Sequence, residues 1–211
     1  MARYREAVCR LCRREGMKLY LKGERCFTEK CAIEKRNVPP GLHGRGRRRR
    51  TQGAYGEQLR MKQRARRIYG VLERQFRNTF EKAERMPGKT GENLLSLLER
   101  RLDTVVHRGG LASSRPQARQ LVLHGHVLVN GRKVNIPSYQ VNVNDEIALK
   151  DKMKENAMVL QVREMASRQS IPSWLEADRE GFRVKLVSLP KREELVTPPL
   201  SEQFIVELYS K

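Results

Sequence analysis

Acidic residues are scarce, aromatic residues scarcer, and cysteine disappears after position 31. There are 24 Asp and Glu against 44 Lys and Arg, a net charge of +20 on 211 residues. Self-repulsion makes such an excess costly in any compact state, so a polyanionic partner is expected, with nucleic acid foremost. Aromatics make up 6% of the chain and hydrophobic residues 38%, so any core is mainly aliphatic. No run of about 18 apolar residues occurs, which leaves no candidate membrane span. MARYREAVCR lacks the apolar stretch of a secretory signal, and a cytosolic protein is expected. The four histidines, His43, His107, His124 and His126, show neither triad nor zinc-protease spacing. Carboxylates such as Glu57, Glu73, Glu81 and Glu84 sit within Lys/Arg-rich helical sequence, as solvated faces or ion-pair partners do. An enzyme needs a placed nucleophile or acid–base pair, and none is visible.

The basic excess is uneven. Residues 1–85 carry 25 Lys and Arg against 9 Asp and Glu, a net of +16; residues 86–211 carry 19 against 15, a net of +4. Arginine dominates the first part, and its planar fork suits phosphate. All the cysteines lie there too, spaced Cys9-x2-Cys12-x13-Cys26-x4-Cys31. Two close pairs separated by a loop form the pattern of a structural four-thiolate zinc knuckle. A [4Fe–4S] cluster takes the same four ligands, and the spacing leaves both open. Disulfides do not suit a cytosolic chain. Arg10, Arg13, Arg14, Arg25 and Lys30 flank the sulfurs, so their field is expected to lower the thiol pKa values. So short a segment has little core, which couples its folding to the metal.

RNVPPGLHGRGRRRRTQGAYG (36–56) reads as a Pro-, Gly- and Arg-rich segment that orders against phosphates. Arg45, Arg47, Arg48, Arg49 and Arg50 form its basic block, and Tyr55 either stacks on a base or covers a core. Residues 57–85 read as helix from Ile68, Leu72, Phe76 and Phe80, with Gly70 marking a kink or junction. Arg60, Lys62, Arg64 and Arg67 make a basic face there, a candidate phosphate grip. MPGKTGEN (86–93) reads as a linker. Its Gly88-Lys89-Thr90 fails as a phosphate-binding loop because Ala83 stands where the first glycine belongs. Residues 94–108 read as one amphipathic helix. SSRPQARQLVLHG follows as a short helix capped by Ser113 or Ser114 and ended at Gly125. Asn130-Gly131 between apolar alternations predicts a type I′ hairpin, and VNVNDEIALK a further strand. Residues 151–166 read as helix. The remainder mixes short strands and turns, with Trp174 as a core or interdomain plug and QFIVELYS as either helix or strand.

The order helix, SSRPQARQLVLHGHVLVNGRKVN, strand resembles the RNA-binding module named after the fourth protein of the small ribosomal subunit. By that match Arg115, Arg119, His124, Arg132 and Lys133 face RNA. MARYREAVCRLCRREGMKLYLKG, PPGLHGRGRRR, YGEQLRMKQRARRIYGVLERQFRN, NLLSLLERRLDTVVHRGG, NIPSYQV and FIVELYSK extend the likeness to bacterial small-subunit ribosomal protein four over essentially the whole length. The resemblance implies the cysteine-bearing, metal-binding type, with Cys9, Cys12, Cys26 and Cys31 as ligands. It implies an α+β protein: a four-cysteine metal knuckle over 1–45, then a basic helical body over 46–92 onto which 196–211 packs back. The RNA-binding module over 93–195 (core 94–162) has two helices followed by a small hairpin-based sheet. It further implies binding to the five-prime domain of 16S ribosomal RNA, nucleation of small-subunit assembly, a role in translational accuracy, and in some members autorepression. Implied neighbours are ribosomal protein five and messenger RNA where it enters its channel. Arg3, Arg10, Arg13 and Arg14 complete the expected RNA contacts. The competing readings are an RNA-modifying or tRNA-charging enzyme carrying the same module, which lacks a site, and a zinc-containing DNA regulator, which lacks a clear recognition helix and dimer seam.

Overall fold

The computed structural model describes residues 4–41, 53–166, 171–178, 180–195 and 200–210. Along the chain run α1 (Cys9–Glu15), a 3-10 turn (Gly23–Cys26), α2 (Ala32–Lys35), α3 (Ala54–Ile68), α4 (Glu73–Glu84) and α5 (Thr90–Glu99). Next come α6 (Leu102–Arg108), α7 (Arg115–Leu123), β1 (Val127–Val129), β2 (Arg132–Lys133) and β3 (Glu146–Leu149). Then α8 (Asp151–Lys154), α9 (Ala157–Ala166), β4 (Leu175–Asp178), β5 (Arg183–Leu186) and α10 (Glu202–Tyr209) follow. The chain divides into two compact units, Met1–Leu94 with Thr197–Lys211, and Leu95–Val196.

In the first unit the long helical stretch is two helices. α3 closes with Gly70 in the left-handed region at φ +62°, and the amide of Val71 donates to the carbonyl of Arg66 at 3.0 Å. That is a glycine-dependent helix stop, which only a residue without Cβ adopts freely. Leu72, expected in the apolar stripe, therefore lies between helices and is exposed. α4 keeps the stripe, burying Phe76, Phe80 and Ala83. The closing segment is helical: α10 packs along α3, with Ile205 fully buried. Tyr209 sets its ring 4.6 Å from that of Phe80. Full burial of Ile205 and Phe76 stabilises by roughly 1.5–3 kcal/mol each.

The second unit carries an antiparallel five-stranded sheet in the order β2-β1-β3-β5-β4. Asn130 (φ +49°) and Gly131 (φ +76°) both take positive φ, the type I′ geometry that matches strand twist. The core joins α6 and α7 to the sheet through Leu102, Val105, Val106, Val122, Ile147 and Val184, with Trp174 fully buried among them.

The single helix expected over 94–108 is instead broken at Arg100-Arg101. Arg101 is extended (φ −65°, ψ 137°). The amides of Leu102 and Val141 donate to the carbonyls of Tyr139 and Arg100, both at 2.9 Å. Pairing with a distant segment outcompetes local helix propensity here. α5 also begins at Thr90, inside the expected linker.

Gly109 has ordinary backbone angles (φ −75°), yet an added Cβ would lie 2.8 Å from Cγ1 of Val184 and closer still to Cγ2. Gly109→Ala is expected to cost about 1–3 kcal/mol by overpacking. In urea melts of the full chain, Gly109→Ala with Val184→Ala should lose less than the two single losses added.

Candidate nucleic-acid interface

The junction of α7 with the hairpin is built by local rules. Ser114 is the N-cap, accepting from the amide of Gln117, and Pro116 stands in the first turn. The amide and hydroxyl of Ser113 donate to Oε1 of Gln117 at 2.7 and 2.6 Å, which fixes the entry to the helix. Gly125 (φ +69°) ends it, and the Lys133 side chain lies where a Cβ at Gly125 would stand. His124, Arg132 and Lys133 are exposed. The rings of His124 and His126 meet edge to face at 6.0 Å. Burial first, then the charges of His124, Lys150, Lys133 and Lys152, pushes the pKa of His126 below its ordinary value. The junction therefore gathers positive charge from three chain segments. Lys150 and Lys152 were not among the residues expected from sequence. Their signal, two lysines just beyond a strand, is too common to single out.

Other expected contacts point inward, and the geometry repeats. Each of four carboxylates holds two basic side chains. Glu15, with a side chain 1% exposed, accepts from Arg60 at 3.2 Å and from Arg67. Glu73 accepts from Lys62 Nζ at 2.6 Å and lies 3.4 Å from Arg66. Glu99, 0% exposed, takes a fork from Arg108, Nε at 3.0 Å and Nη2 at 2.7 Å, with Arg115 approaching to 3.8 Å. Asp103, 3% exposed, takes a fork from Arg101 at 3.1 and 2.9 Å, and Nη1 of Arg119 at 3.0 Å.

Several of the expected contact residues are therefore engaged with the protein itself. Lys62 and Arg119 are buried, and a phosphate reaches them only by breaking their pairs. Arg60, Arg67 and Arg115 are half-buried on carboxylates. Arg13 is likewise turned in, its Nε donating to the carbonyl of Val38 at 2.8 Å. Arg64 is half-buried, with Nη1 3.9 Å from Sδ of Met61. Arg14 is exposed, as are Arg10, which is paired to Glu6, and Tyr55 in the first turn of α3. Arg3, Arg45, Arg47, Arg48, Arg49 and Arg50, with His43, lie outside the described residues.

The protonation states fit these clamps. Burial alone would raise the carboxyl of Glu73. The bonds donated by Lys62 and the Tyr209 hydroxyl, with the charges of Lys62 and Arg66, hold it below the usual carboxylate range. Burial lowers Arg67 against the pull of Glu15. Burial, then the charge of Arg115, pushes His107 down to about 3. It is therefore neutral at pH 7, and its Nδ1 donates to the carbonyl of Ala112 at 3.1 Å.

The four cysteines are free thiols and line one pocket. Cys12, Cys26 and Cys31 are buried and Cys9 half-buried. Among the described residues no group of three or more His, Cys, Asp or Glu is drawn together closely enough to hold a metal ion. The donor set of four thiols around a common pocket suits a thiophilic metal; the sulfurs are not closed on a centre. At Cys12 and Cys26 the expected lowering of the thiol pKa is reversed. Burial pushes Cys12 up to about 11 and Cys26 upward as well, and the neighbouring thiols add to it.

Residues 3–99 match the family model described as the ribosomal protein S4/S9 N-terminal domain, and residues 100–147 match the S4 domain. The chain is 61% identical to the small ribosomal subunit protein uS4 of Solibacter usitatus and 59% to that of Koribacter versatilis. It is 57% identical to that of Pelotomaculum thermopropionicum, and all three comparisons cover 100% of both chains.

Asp103→Ala leaves two buried guanidinium groups uncompensated. It is expected to lower the urea unfolding free energy by about 3–5 kcal/mol, whereas Arg132→Ala, on an exposed strand, should stay within about 0.5 kcal/mol of the parent.

Proposed function

For a chain that belongs to the uS4 family of small-ribosomal-subunit proteins, we propose that exposed basic side chains around the α7–hairpin junction and on α1 grip folded ribosomal RNA. The carboxylate-clamped ones build the frame that presents them. The protein binds 16S ribosomal RNA as a structural component of the small ribosomal subunit, in the cytoplasm, and its neighbours there include other ribosomal proteins. It is not an enzyme: relatives at 57–61% identity over their full length are small-subunit ribosomal proteins. No helix among the described residues is long and apolar enough to cross a membrane.

The observation that carries the grip is the cluster at the junction. His124, Arg132 and Lys133 are exposed there, and the depressed His126 senses Lys133, Lys150 and Lys152. Structured RNA is recognised chiefly through shape and backbone, which suits an exposed, positively charged surface. Exposed basic residues occur in both units, Arg14 on α1 and Arg132 and Lys133 on the hairpin. Nucleation of assembly on the five-prime domain rests on the family resemblance. Contact with ribosomal protein five, a place beside incoming messenger RNA, support of translational accuracy and autorepression belong to the same reading and rest on the family resemblance alone.

The N-terminal segment is read as a metal-stapled platform. Cys9, Cys12, Cys26 and Cys31 would hold one zinc ion, with a [4Fe–4S] cluster as the alternative. The common pocket and the all-thiol donor set support this. Bound metal would supply a cross-link between α1 and the turns before α2. It needs the sulfurs drawn inward and their protons released.

Three measurements test these readings. Affinity for a 16S five-prime-domain transcript should fall steeply with salt, and Arg132→Ala and Lys133→Ala should each reduce the log–log slope by about 0.7–0.9. A slope unchanged in both variants would contradict the grip. Protein purified without chelator or air should carry about one zinc per chain and no visible colour, whereas iron, sulfide and a brown chromophore would select the cluster. Cys9→Ser with Cys12→Ser should abolish metal uptake and weaken RNA binding; undiminished affinity would overturn the stapled platform.

A further inference from the structure

One feature of the N-terminal segment belongs neither to the thiol pocket nor to the carboxylate clamps. The rings of Tyr20 and Phe27 lie stacked, with centroids 5.0 Å apart and planes 30° apart. Phe27 is 65% exposed and Tyr20 38%. Tyr20 also stands at φ +52°, a conformation that a bulky side chain adopts only when its surroundings hold it there. In a chain with five phenylalanines, this one has one face against Tyr20 and most of its surface in water.

The turn that presents Phe27 is braced. Its amide donates to the carbonyl of Glu24 at 2.8 Å, and the amide of Lys22 to Sγ of Cys26 at 3.4 Å. The hydroxyl of Thr28 donates to the carbonyl of Arg25 at 3.2 Å, and Nε of Arg25 to that of Lys30 at 3.3 Å. Directly after Phe27 in sequence, Thr28 enters the wall of an open cleft bordered by Glu24, Arg25, Lys30 and Lys35. Three cations against one carboxylate make that wall attractive to an anion.

We propose that the Tyr20–Phe27 stack is a platform for one unpaired nucleobase of the small-subunit RNA. The cleft of Arg25, Lys30 and Lys35 receives phosphate beside it. The proposal rests on the RNA-binding reading above and adds a contact of different chemistry, since stacking uses the π-face that every base has. The second ring backs the first and holds it in place, so little ordering is required when a base arrives. The cationic surroundings favour a nucleotide over an apolar protein partner.

The test uses the full chain and a 16S five-prime-domain transcript, with affinity measured over a range of salt. Phe27→Ala should bind about five- to a hundredfold more weakly with an unchanged salt slope, because no phosphate contact is lost. Lys35→Ala should instead reduce the slope by about 0.7–0.9. Phe27→Tyr should bind like the parent, and Phe27→Leu, which keeps apolar bulk but no ring, should weaken like Phe27→Ala. Because Phe27→Tyr and Phe27→Leu conserve size, their comparison stands even if Phe27→Ala loses its fold. Parental affinity in Phe27→Leu would overturn the platform while a steeply salt-dependent parent keeps the RNA reading. A parent that does not bind the transcript would overturn both.

Discussion

The recurring interaction is a single carboxylate held by two basic side chains. It occurs at Glu15, Glu73, Glu99 and Asp103. A chain of net charge +20 has to place cations inside or beside its core without leaving them unsolvated and unpaired, since an uncompensated buried charge costs several kcal/mol. Forked arginine on carboxylate meets that demand with two hydrogen bonds per pair. Two cations on one anion leave each clamp with a residual positive charge. The frame therefore adds to the positive field of the surface it supports.

The clamps also divide the work of the basic residues. Glu15 ties α1 to α3, and Glu73 joins α3, α4 and α10 through Lys62 and Tyr209. Asp103 ties α6 to α7, and Glu99 brings α5 to Arg108 and Arg115. These pairs join α7 to α5 and α6, and His124, Arg132 and Lys133 just beyond α7 are exposed.

Local signals in the sequence were reliable. Asn130-Gly131 specified its turn, Ser114 and Pro116 started α7, Gly70 stopped α3, and the spacing of Phe76 and Phe80 marked the buried face of α4. What escaped was non-local. The break at Arg101 depends on pairing with residues 139–141, about 40 positions away, and no periodicity encodes that. The inward turn of Arg60, Lys62, Arg67, Arg115 and Arg119 depends on carboxylates in other elements. A basic run reads alike whether it faces phosphate or Glu15. Burial of the Cys12 thiol, the largest influence on its pKa, is likewise invisible in the arginines beside it in sequence. The last helix escaped because eight residues with one fully buried side chain carry too little period to exclude a strand.

In this reading the arginines on buried carboxylates serve the fold, and the exposed ones form the proposed RNA grip. The most direct test measures urea stability and the salt slope of RNA binding on the same samples of Arg67→Ala and Arg14→Ala. Arg67 lies on buried Glu15, and Arg14, one residue before Glu15, is exposed. Arg67→Ala should lose more than about 1 kcal/mol of stability and keep the parental slope. Arg14→Ala should keep its stability and reduce the slope by about 0.7–0.9. A reduced slope with undiminished stability in Arg67→Ala would contradict the division.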